Sequence, residues 1–322
     1  MSNSQFFSNC TADSIREAAA ALKAGHLVAF PTETVYGLGA DARNPEAVKR
    51  IYEVKGRPTD HPLIVHISSI SQLEKWASNI PEYAISLARA FWPGPMTLIL
   101  MRSEIAEDFI TGGQETIGLR VPSDPIALAL IQEFEKISDS AIAAPSANRF
   151  GQVSPTSSSD VLEELGVYLS HSDVVINGGN SSIGIESTIV DCIGEHPRIL
   201  RAGFITKEDV EFKSGLNCDN LVTPTSIKFS GSFDRHYAPK CKIVIGTQVA
   251  KNASFLALAK ERTPDGLTRI GSPKTVLDFA HTLYSTFREA DHMGFESLVV
   301  SLPVGPGLAL AIRERVLKAS HQ

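Results

Sequence analysis

The sequence predicts an α/β protein with a twisted, open mixed sheet, covered by helices, and a smaller α/β domain at the C-terminal end. Short apolar runs alternate with segments of helical period through the first two thirds of the chain, as in α/β proteins. The 322 residues, 43% of them hydrophobic, can bury a full core and form two domains. This alternation stops between residues 212 and 239. We therefore predict a first domain over 1–211 and a second over 240–322.

Eight apolar runs of the first domain predict strands, because each is short and is bounded by polar or turn-forming residues. They cover residues 26–30, 63–67, 96–100, 117–121, 141–144, 174–176, 187–193 and 198–201. Helical periodicity between these runs predicts helices near 44–56, 82–91, 125–135 and 157–165. The result is a mixed set of strands and helices.

The segment "NPEAVKRIYEVKG" carries the clearest helix boundaries in the chain. Asn44 is a typical N-cap, Pro45 suits the first helical position, and Gly56 suits the position just past the end. Lys55 then closes the helix, and Arg57 lies on the turn that follows it. Two cations therefore stand together at a helix end.

Residues 212–239 predict an interdomain linker, since they are rich in Ser, Asn, Thr, Pro and Gly and show little periodicity. The linker ends in "RHYAP", and this segment is a candidate lid. The chain beyond it reads as strand, second apolar region near 253–260, helix near 275–290, strand "SLVVSL" and final helix "GLALAIRERVLKAS". This order predicts a small Rossmann-like domain.

Composition excludes several classes of protein. A net charge of −6 and a pI near 5.9 are unlike a protein whose whole surface grips nucleic acid. The four cysteines form no CxxC pair, the first residues lack the pattern of a signal peptide, and no apolar run reaches the length of a membrane helix. We expect a cytoplasmic protein with no membrane partner.

The common nucleotide and hydrolase motifs are missing from the sequence. It contains no GxxxxGK[ST] loop, no GxGxxG after a strand, no GxSxG elbow and no HExxH. A nucleotide, if one is bound, must therefore be held by separate side chains.

Polar side chains of this kind follow the predicted strands and the first predicted helix. They are Thr32, Thr34, Lys55, Arg57, Arg120, Ser146, Asn148 and Arg201. Ligands of open α/β sheets collect at the carboxyl ends of strands, so residues far apart in sequence can meet there. Several cations among hydroxyl groups suit a polyphosphate together with an amino acid.

Each candidate also has a structural interpretation. A lysine at a helix C-terminus is usually solvated and complements the helix dipole, and Lys55 taken alone favours that view. His66, in a buried strand, is by pattern alone more often a hydrogen-bonded core residue than a ligand contact. Ser146 and Asn148 are also typical turn caps.

For two glutamates and one arginine, a structural interpretation must also be weighed against a functional one. Glu33 and Glu186 are each followed by a hydroxyl residue and suit structural carboxylates that accept backbone N–H bonds. Arg120 stands between apolar neighbours, where an unpaired guanidinium is rarely buried. The conjunction of many polar positions after apolar strands favours a functional site.

Nine sequence blocks resemble one family along nearly the whole chain. These are "FPTETVYGLGADA", "YEVKGRPTDHPLIVHI", "FWPGPMTLIL", "GLRVPSDP", "APSANRFGQVSPT", "GIESTIVD", "RILRAGFIT", "RHYAP" and "GLALAIRERV". They resemble the YrdC-like threonylcarbamoyl-AMP synthases in their long form. The pairing of Lys55-x-Arg57 with Ser146-x-Asn148 is the hallmark of that family.

The resemblance implies a YrdC-like fold and an adenylylation reaction. L-threonine, bicarbonate or CO2 and ATP would give threonylcarbamoyl-AMP and pyrophosphate, with Mg²⁺ accompanying ATP. A downstream transferase complex would pass the threonylcarbamoyl group to the adenosine beside the tRNA anticodon, so that tRNA is an indirect partner.

The resemblance also implies roles for individual residues. Threonine would be held by Thr34, His66, Arg120, Ala144 and Ser187. ATP would be contacted by Arg57, His61, Thr116, Ser146, Ser154, Arg201 and His236. The catalytic set would be Lys55, Arg57, Ser146 and Asn148.

Two other functions stay open from sequence. One is a cavity that binds double-stranded RNA without catalysis, which the acidic net charge and the lack of an extended Arg/Lys stripe disfavour. The other is a related enzyme that adenylates carbamate from carbamoyl phosphate. Chains of that kind carry zinc-finger regions, for which this sequence lacks the cysteines.

Overall fold

The computed structural model describes residues 5–7, 10–219, 227–231, 236–246 and 252–321, with only the backbone for 5–7. Two separate sheets are present in these ranges, as predicted. The large sheet contains β1 Gln5–Phe7, β2 Val28–Phe30, β3 Gly37–Asp41, β4 Ile64–His66, β5 Ala77–Ser78, β6 Met96–Arg102, β7 Thr116–Arg120, β8 Ile142–Ala143, β9 Val174–Ile176, β10 Thr188–Asp191 and β11 Arg198–Arg201. The small sheet contains β12 Lys242–Ile245, β13 Ala253–Leu256, β14 Thr268–Gly271 and β15 Ser297–Val300.

Ten α-helices are assigned in the same ranges. They are α1 Ala12–Lys23, α2 Pro45–Lys55, α3 Leu73–Trp76, α4 Glu82–Phe91, α5 Asp108–Thr111, α6 Pro125–Ile137, α7 Ser158–Leu165, α8 Lys207–Ser214, α9 Val276–His292 and α10 Leu308–Ser320. Among the residues described, no helix is both long and apolar enough to span a bilayer.

The large sheet is mixed, and its strand order is β1-β9-β2-β3-β8-β4-β7-β6-β10-β11, with β5 added beside β6. Strand β4 pairs with β7 in parallel and with β8 in the antiparallel sense. The parallel register sets His66 opposite Arg120 at the carboxyl ends of both strands. Two residues distant in sequence are thus neighbours at one end of the sheet.

Helix α2 begins and ends where its sequence predicts. Asn44 accepts hydrogen bonds from the backbone N–H groups of Glu46 and Ala47, and Gly56 takes a left-handed conformation with φ of 61°. This left-handed residue turns the chain sharply after Lys55 and directs Arg57 toward the end of the sheet.

Strand β3 is not among the eight strands predicted from sequence for the first domain. Its two glycines lower strand propensity, yet tertiary packing requires at least one of them. A Cβ on Gly39 would lie 2.7 Å from Ile142 Cγ2 and 2.9 Å from Phe30 Cε1. The glycine is therefore needed for close packing within the sheet, and β3 is held between β2 and β8.

Seven other elements are not assigned from sequence: β1, α1, α3, β5, α5, α8 and β14. The first residues of the predicted linker, 212–214, belong to α8 and are helical. Of the rest of that linker, 220–226 and 232–235 lie outside the described residues. The proposed boundaries of the two domains stay a prediction.

The small sheet is entirely parallel in the order β12-β15-β13-β14. Helices α9 and α10 pack against it and form its hydrophobic core. That core also includes Val35, Val153, Ile185 and Ala202 from the first part of the chain. The second unit is therefore packed directly on the loops at the edge of the large sheet.

Gly184 permits the closest part of this packing. It has φ of +83°, and a Cβ there would lie 2.6 Å from the backbone oxygen of His281 in α9. Both the left-handed backbone and the contact with backbone atoms exclude a larger side chain. The segment that leads into β10 can thus run along α9.

We expect Gly184→Ala to lower the thermal unfolding midpoint more than Gly179→Ala does. Gly179 has a similar φ of +78°, but a Cβ added there would meet nothing within 4 Å, so it isolates the backbone cost of about 1–2 kcal/mol. The clash at Gly184 should add roughly 1–3 kcal/mol. Equal midpoints for the two variants, measured by calorimetry, would contradict this packing.

Candidate active site

A buried cavity lies where the ends of β4, β7 and β11 meet the loops before α7 and β10. It is lined by Thr32, Thr34, Val35, Tyr36, Gly37, Arg57, Ile64, His66, Arg120, Ala144, Pro145, Ser146, Glu186, Ser187, Arg201, Ser230, Gly231, His236 and Tyr237. Its volume of about 50 Å³ has room for a few water molecules. Nine of the predicted site residues meet here: Thr34, Arg57, His66, Arg120, Ala144, Ser146, Ser187, Arg201 and His236.

Three arginines give the cavity its positive charge. Arg57 and Arg201 are 7% and 3% exposed, and both reach Ser230 of the predicted linker. Arg57 Nη2 lies 3.5 Å from Ser230 Oγ, and Arg201 Nη1 donates to the Ser230 carbonyl at 2.8 Å. Burial, reinforced by the neighbouring Arg201 charge, lowers the pKa of Arg57 to about 10. Arg57 therefore remains charged at neutral pH.

Arg120, the last residue of β7, lines the cavity on the side formed by β4 and β7. Its Nη1 donates to Thr34 Oγ1 at 2.9 Å, and its Nη2 pairs with Glu33 Oε1 at 2.7 Å. The prediction that Glu33 accepts backbone N–H bonds is wrong, because the carboxylate is paired with the Arg120 side chain. The pair is buried, with both side chains at most 6% exposed, so the charge of Arg120 is locally compensated.

His66 stands beside Arg120 with its ring edge-on to Phe30. Burial, together with the Arg120 charge, lowers the pKa of His66 to about 3. The imidazole is therefore neutral at physiological pH, with one ring nitrogen able to donate a hydrogen bond and the other able to accept one.

Lys55 lies outside the cavity lining. It is 2% exposed, and its Nζ donates to the backbone carbonyls of Ser146 and Asn148 at 2.6 and 2.5 Å. The interpretation of Lys55 as a solvated lysine at the helix end is therefore wrong. The loop after β8 covers the helix end, and Lys55 holds that loop through these two hydrogen bonds. Burial lowers its pKa well below the ordinary value.

Asn148 also supports this loop from within. Its Nδ2 donates to the carbonyls of Arg149 and Gln152 at 2.7 and 2.9 Å, so the turn-capping interpretation of Asn148 is correct. Together Lys55 and Asn148 fix the backbone that carries Ser146 to the cavity wall.

Three further predicted contacts, Ser154, His61 and Thr116, do not line the cavity. Ser154 donates through Oγ to Glu186 Oε1 at 2.6 Å. His61 is 8% exposed on the turn after α2, and Thr116 begins β7. Their assignment to ATP stays a prediction.

Glu186 belongs to the site, although sequence assigns it a structural role with backbone donors. Its carboxylate accepts hydrogen bonds from the side chains of Ser154, Tyr284 and Arg315. Burial raises the pKa of Glu186, but the Arg315 and Arg201 charges and the Ser154 hydrogen bond outweigh burial and lower it to about 2. The carboxylate is ionised. Tyr284 and Arg315 come from a distant part of the chain, and no sequence spacing indicates them.

The end of the linker closes the cavity. His236 is 6% exposed, its Nδ1 accepts the backbone N–H of Tyr237 at 2.9 Å, and burial lowers its pKa to about 3. Tyr237 stacks on Tyr284, with ring centroids 5.8 Å apart. Ser230 and Gly231 are not among the predicted site residues, because the linker shows neither periodicity nor a motif at these positions. Tyr237 belongs to "RHYAP", but the sequence analysis gives a role there only to His236.

Two family models together match nearly the whole chain. The Sua5/YciO/YrdC family model, described as telomere recombination, matches residues 20–203, and the model of the C-terminal domain of threonylcarbamoyl-AMP synthase matches 205–321. The chain belongs to the Sua5/YrdC family, in its long form.

Relatives in this family cover nearly the whole chain. The threonylcarbamoyl-AMP synthase of Pyrococcus abyssi is 40% identical over 95% of this chain and 94% of its own length. The Bacillus subtilis enzyme of the same name is 38% identical over 95% and 92%. A crystal structure of P. abyssi Sua5 complexed with L-threonine has a TM-score of 0.84 and 37% identity, and the match covers 98% of this chain and 96% of that one. The family's fold is therefore the fold of this chain.

Within the described residues no group of three His, Cys, Asp or Glu side chains could hold a metal ion. Glu186 is the one carboxylate among the described residues that line the cavity, and it is already paired with Arg315. These residues do not fit a protein-held Mg²⁺ site.

Lys55→Met should lower the thermal midpoint, because two buried carbonyls would lose their donor at about 1–3 kcal/mol in total. The matched control is Lys49→Met on the same helix, where the lysine side chain is 63% exposed and the change should cost almost nothing. Calorimetry of both variants tests this. A Lys55→Met midpoint equal to that of the control would restore the solvated interpretation.

Acid should destabilise the fold through His66. Its folded pKa, near 3, lies below the value of about 6.5 expected when unfolded, so below pH 6.5 the unfolded chain binds a proton that the folded one excludes. Stability therefore falls between pH 6.5 and 3, by at most about 1.4 kcal/mol per pH unit for one site. We expect His66→Gln to show a shallower fall of thermal midpoint between about pH 6.5 and 4.5. An unchanged slope would contradict a buried neutral imidazole.

Proposed function

We propose that this chain is an L-threonylcarbamoyladenylate synthase, which makes threonylcarbamoyl-AMP and pyrophosphate from L-threonine, bicarbonate or CO2 and ATP. Membership of the Sua5/YrdC family supports the reaction. One observation supports this reaction for this chain in particular. Two buried guanidinium donors, Arg57 Nε and Arg120 Nε, lack a hydrogen-bond partner among the described residues. Buried donors left unpaired are costly, and an anionic ligand would satisfy them.

Threonine fits the side of the cavity formed by β4 and β7. Arg120 keeps N–H donors for its carboxylate, because Nε has no partner among the described residues and each Nη carries a second N–H besides the one that binds Thr34 or Glu33. Neutral His66 and the hydroxyl groups of Thr34 and Ser187 are placed for the polar atoms of the amino acid, and Ala144 leaves room for its methyl group. The complex of P. abyssi Sua5 with L-threonine supports threonine as the ligand.

ATP fits the opposite side, where Arg57 and Arg201 stand together. Both arginines now contact Ser230, so the triphosphate would take over donors that the linker occupies. With the small volume of the cavity, this favours a linker that moves aside to admit the nucleotide, as expected for a lid. The proposed further contacts are Ser146, Ser154, Thr116, His61 and His236.

The reaction needs no nucleophilic side chain. The neutral amine of threonine adds to CO2 and loses a proton to give a carbamate, and a carbamate oxygen then attacks the α-phosphorus of ATP while pyrophosphate leaves. Holding the reactants in line contributes roughly 7–11 kcal/mol to lowering the barrier. Arg57 and Arg201 stabilise charge on the α-phosphate and on the leaving pyrophosphate. A closed lid protects the unstable carbamate from water.

Mg²⁺ is proposed to enter with ATP and to be held by its phosphate oxygens and by water, since the described cavity residues offer no carboxylate cluster. We further propose a downstream transferase complex, with tRNA as its substrate, as the consumer of the product. The four cysteines all carry free thiols, which suits the proposed cytoplasmic location.

The direct test is incubation with ATP, bicarbonate and L-threonine, followed by mass analysis for threonylcarbamoyl-AMP and assay of pyrophosphate. Carbamoyl phosphate in place of threonine and bicarbonate tests the carbamoyl-adenylating alternative. Binding of double-stranded RNA with a steep salt dependence, and no pyrophosphate release, would instead support the binding module.

Arg120→Ala should raise the KM for threonine by about tenfold or more, since a charge-assisted bond to carboxylate is lost, and should change the KM for ATP little. Arg57→Ala, which removes a proposed ATP contact with no bond to the proposed threonine contacts, should show the opposite selectivity. The double variant Arg120→Ala/Glu33→Gln removes the glutamate charge that the first change leaves unpaired. Equal rises in both KM values for Arg120→Ala, repeated in the double variant, would reject the carboxylate assignment.

A further inference from the structure

Glu186 places a negative charge in a cavity that must accept anions. It is buried and ionised, and it is bonded through Oε1 to Ser154, one of the proposed ATP contacts. It directly precedes Ser187, which receives hydrogen bonds from Arg201 at its carbonyl and at Oγ. Glu186 thus bonds a proposed ATP contact, Ser154, and adjoins a proposed threonine contact, Ser187. Its negative charge opposes binding of the nucleotide unless a cation compensates it.

Two helices of the C-terminal unit converge on this carboxylate. Tyr284 of α9 donates to Glu186 Oε2 at 2.9 Å, and Arg315 of α10 donates to the same atom through Nε at 3.1 Å. Both side chains are 0% exposed. Arg315 also donates to the Ala202 carbonyl at 2.7 Å, just after Arg201. The C-terminal unit thus holds both the carboxylate and the backbone next to a cavity arginine.

We propose that Arg315 and Tyr284 are positioning residues for the synthase reaction, which hold Glu186 and with it Ser154 and Ser187 in place, and that Arg315 keeps the cavity attractive to a polyphosphate by compensating the Glu186 charge. This inference rests on the proposed function. It gives the C-terminal unit a part in building the active site, although neither residue lines the cavity.

The proposal that Arg315 compensates the Glu186 charge follows from their direct contact. Removing Arg315 leaves a buried carboxylate beside the proposed phosphate site, in surroundings where charges are weakly screened. Other charges are less well placed to replace it. Arg201 points its donors at Ser187 and Ser230, while Lys318 lies 3.8 Å from Glu314, which shares Arg315 with Glu186. Repulsion of the ATP phosphates should then weaken nucleotide binding more than threonine binding.

A charge-rescue cycle separates this role from packing. The variants are Arg315→Gln, Glu186→Gln and the double variant, each assayed for pyrophosphate release with ATP and threonine varied in turn. We expect Arg315→Gln to raise the KM for ATP by roughly tenfold or more. Glu186→Gln keeps an acceptor for Ser154 but removes the charge, so the double variant should bind ATP within about threefold of Glu186→Gln alone. Purely structural losses would instead add up.

Tyr284→Phe tests the hydrogen bond without altering charge. It removes one donor to Glu186, and we expect a KM for ATP raised by about threefold at a thermal midpoint close to that of the unaltered chain. The matched control is Arg313→Gln on α10, because Arg313 donates to the carbonyls of Pro303 and Gly305, away from the cavity. This variant should keep both KM values.

The outcomes are distinguishable from failure of the proposed function. If the unaltered chain makes no threonylcarbamoyl-AMP, the proposed function fails. If it is active while Arg315→Gln keeps the KM for ATP, or while the double variant loses as much as the two single variants combined, the positioning role is overturned. Should Arg315→Gln not fold, Tyr284→Phe decides, and a KM for ATP unchanged in that variant overturns the role.

Discussion

Three buried guanidinium groups in one cavity are the constraint on which the rest of the structure depends. Desolvation of a cation costs several kcal/mol unless hydrogen bonds or opposite charges compensate for it. Each arginine here has such compensation on one side. Glu33 pairs with Arg120, the carbonyl and hydroxyl oxygens of Ser187 and the carbonyl of Ser230 accept from Arg201, and the carbonyl of Pro62 accepts from Arg57. These bonds reduce the free-energy cost of burying the three cations. They leave Arg57 Nε and Arg120 Nε without a partner among the described residues, as the proposed donors to an anion.

The second unit completes that balance. Without Arg315, Glu186 would lose its charge partner beside the proposed site for anions, and without α9 the segment before β10 would lose the helix along which it runs. Arg315 and Tyr284 supply the missing charge and hydrogen bond from α10 and α9. The linker then closes the cavity from the same side, where the Lys318 ammonium bonds the Gly231 carbonyl. Arg315 and Tyr284 thus contribute both to the charge balance of the candidate site and to the packing between the two units.

Local patterns predict much of the fold because they act over short distances. Runs such as "RILR" and "VVI" become strands at the expected positions, and the caps of α2 are satisfied by their own neighbours in sequence. Strand β3 escapes such patterns because close packing against Ile142, which lies far along the chain, requires a glycine at position 39. Lys55 is misjudged for the same reason, since the loop that buries it lies far along the chain, at Ser146 and Asn148.

The sequence by itself determined the α/β class, the family blocks and most of the polar residues that reach the cavity. It could do so because strand ends, caps and turns depend on residues close in sequence. Only the tertiary structure decided which of these residues face the cavity and which support it. Lys55 and Asn148 hold a loop, whereas Glu186 faces the site with a charge that Arg315 compensates from 129 positions away. Burial and pairing of charges are properties of the assembled fold, because they depend on distances in space that no local pattern encodes.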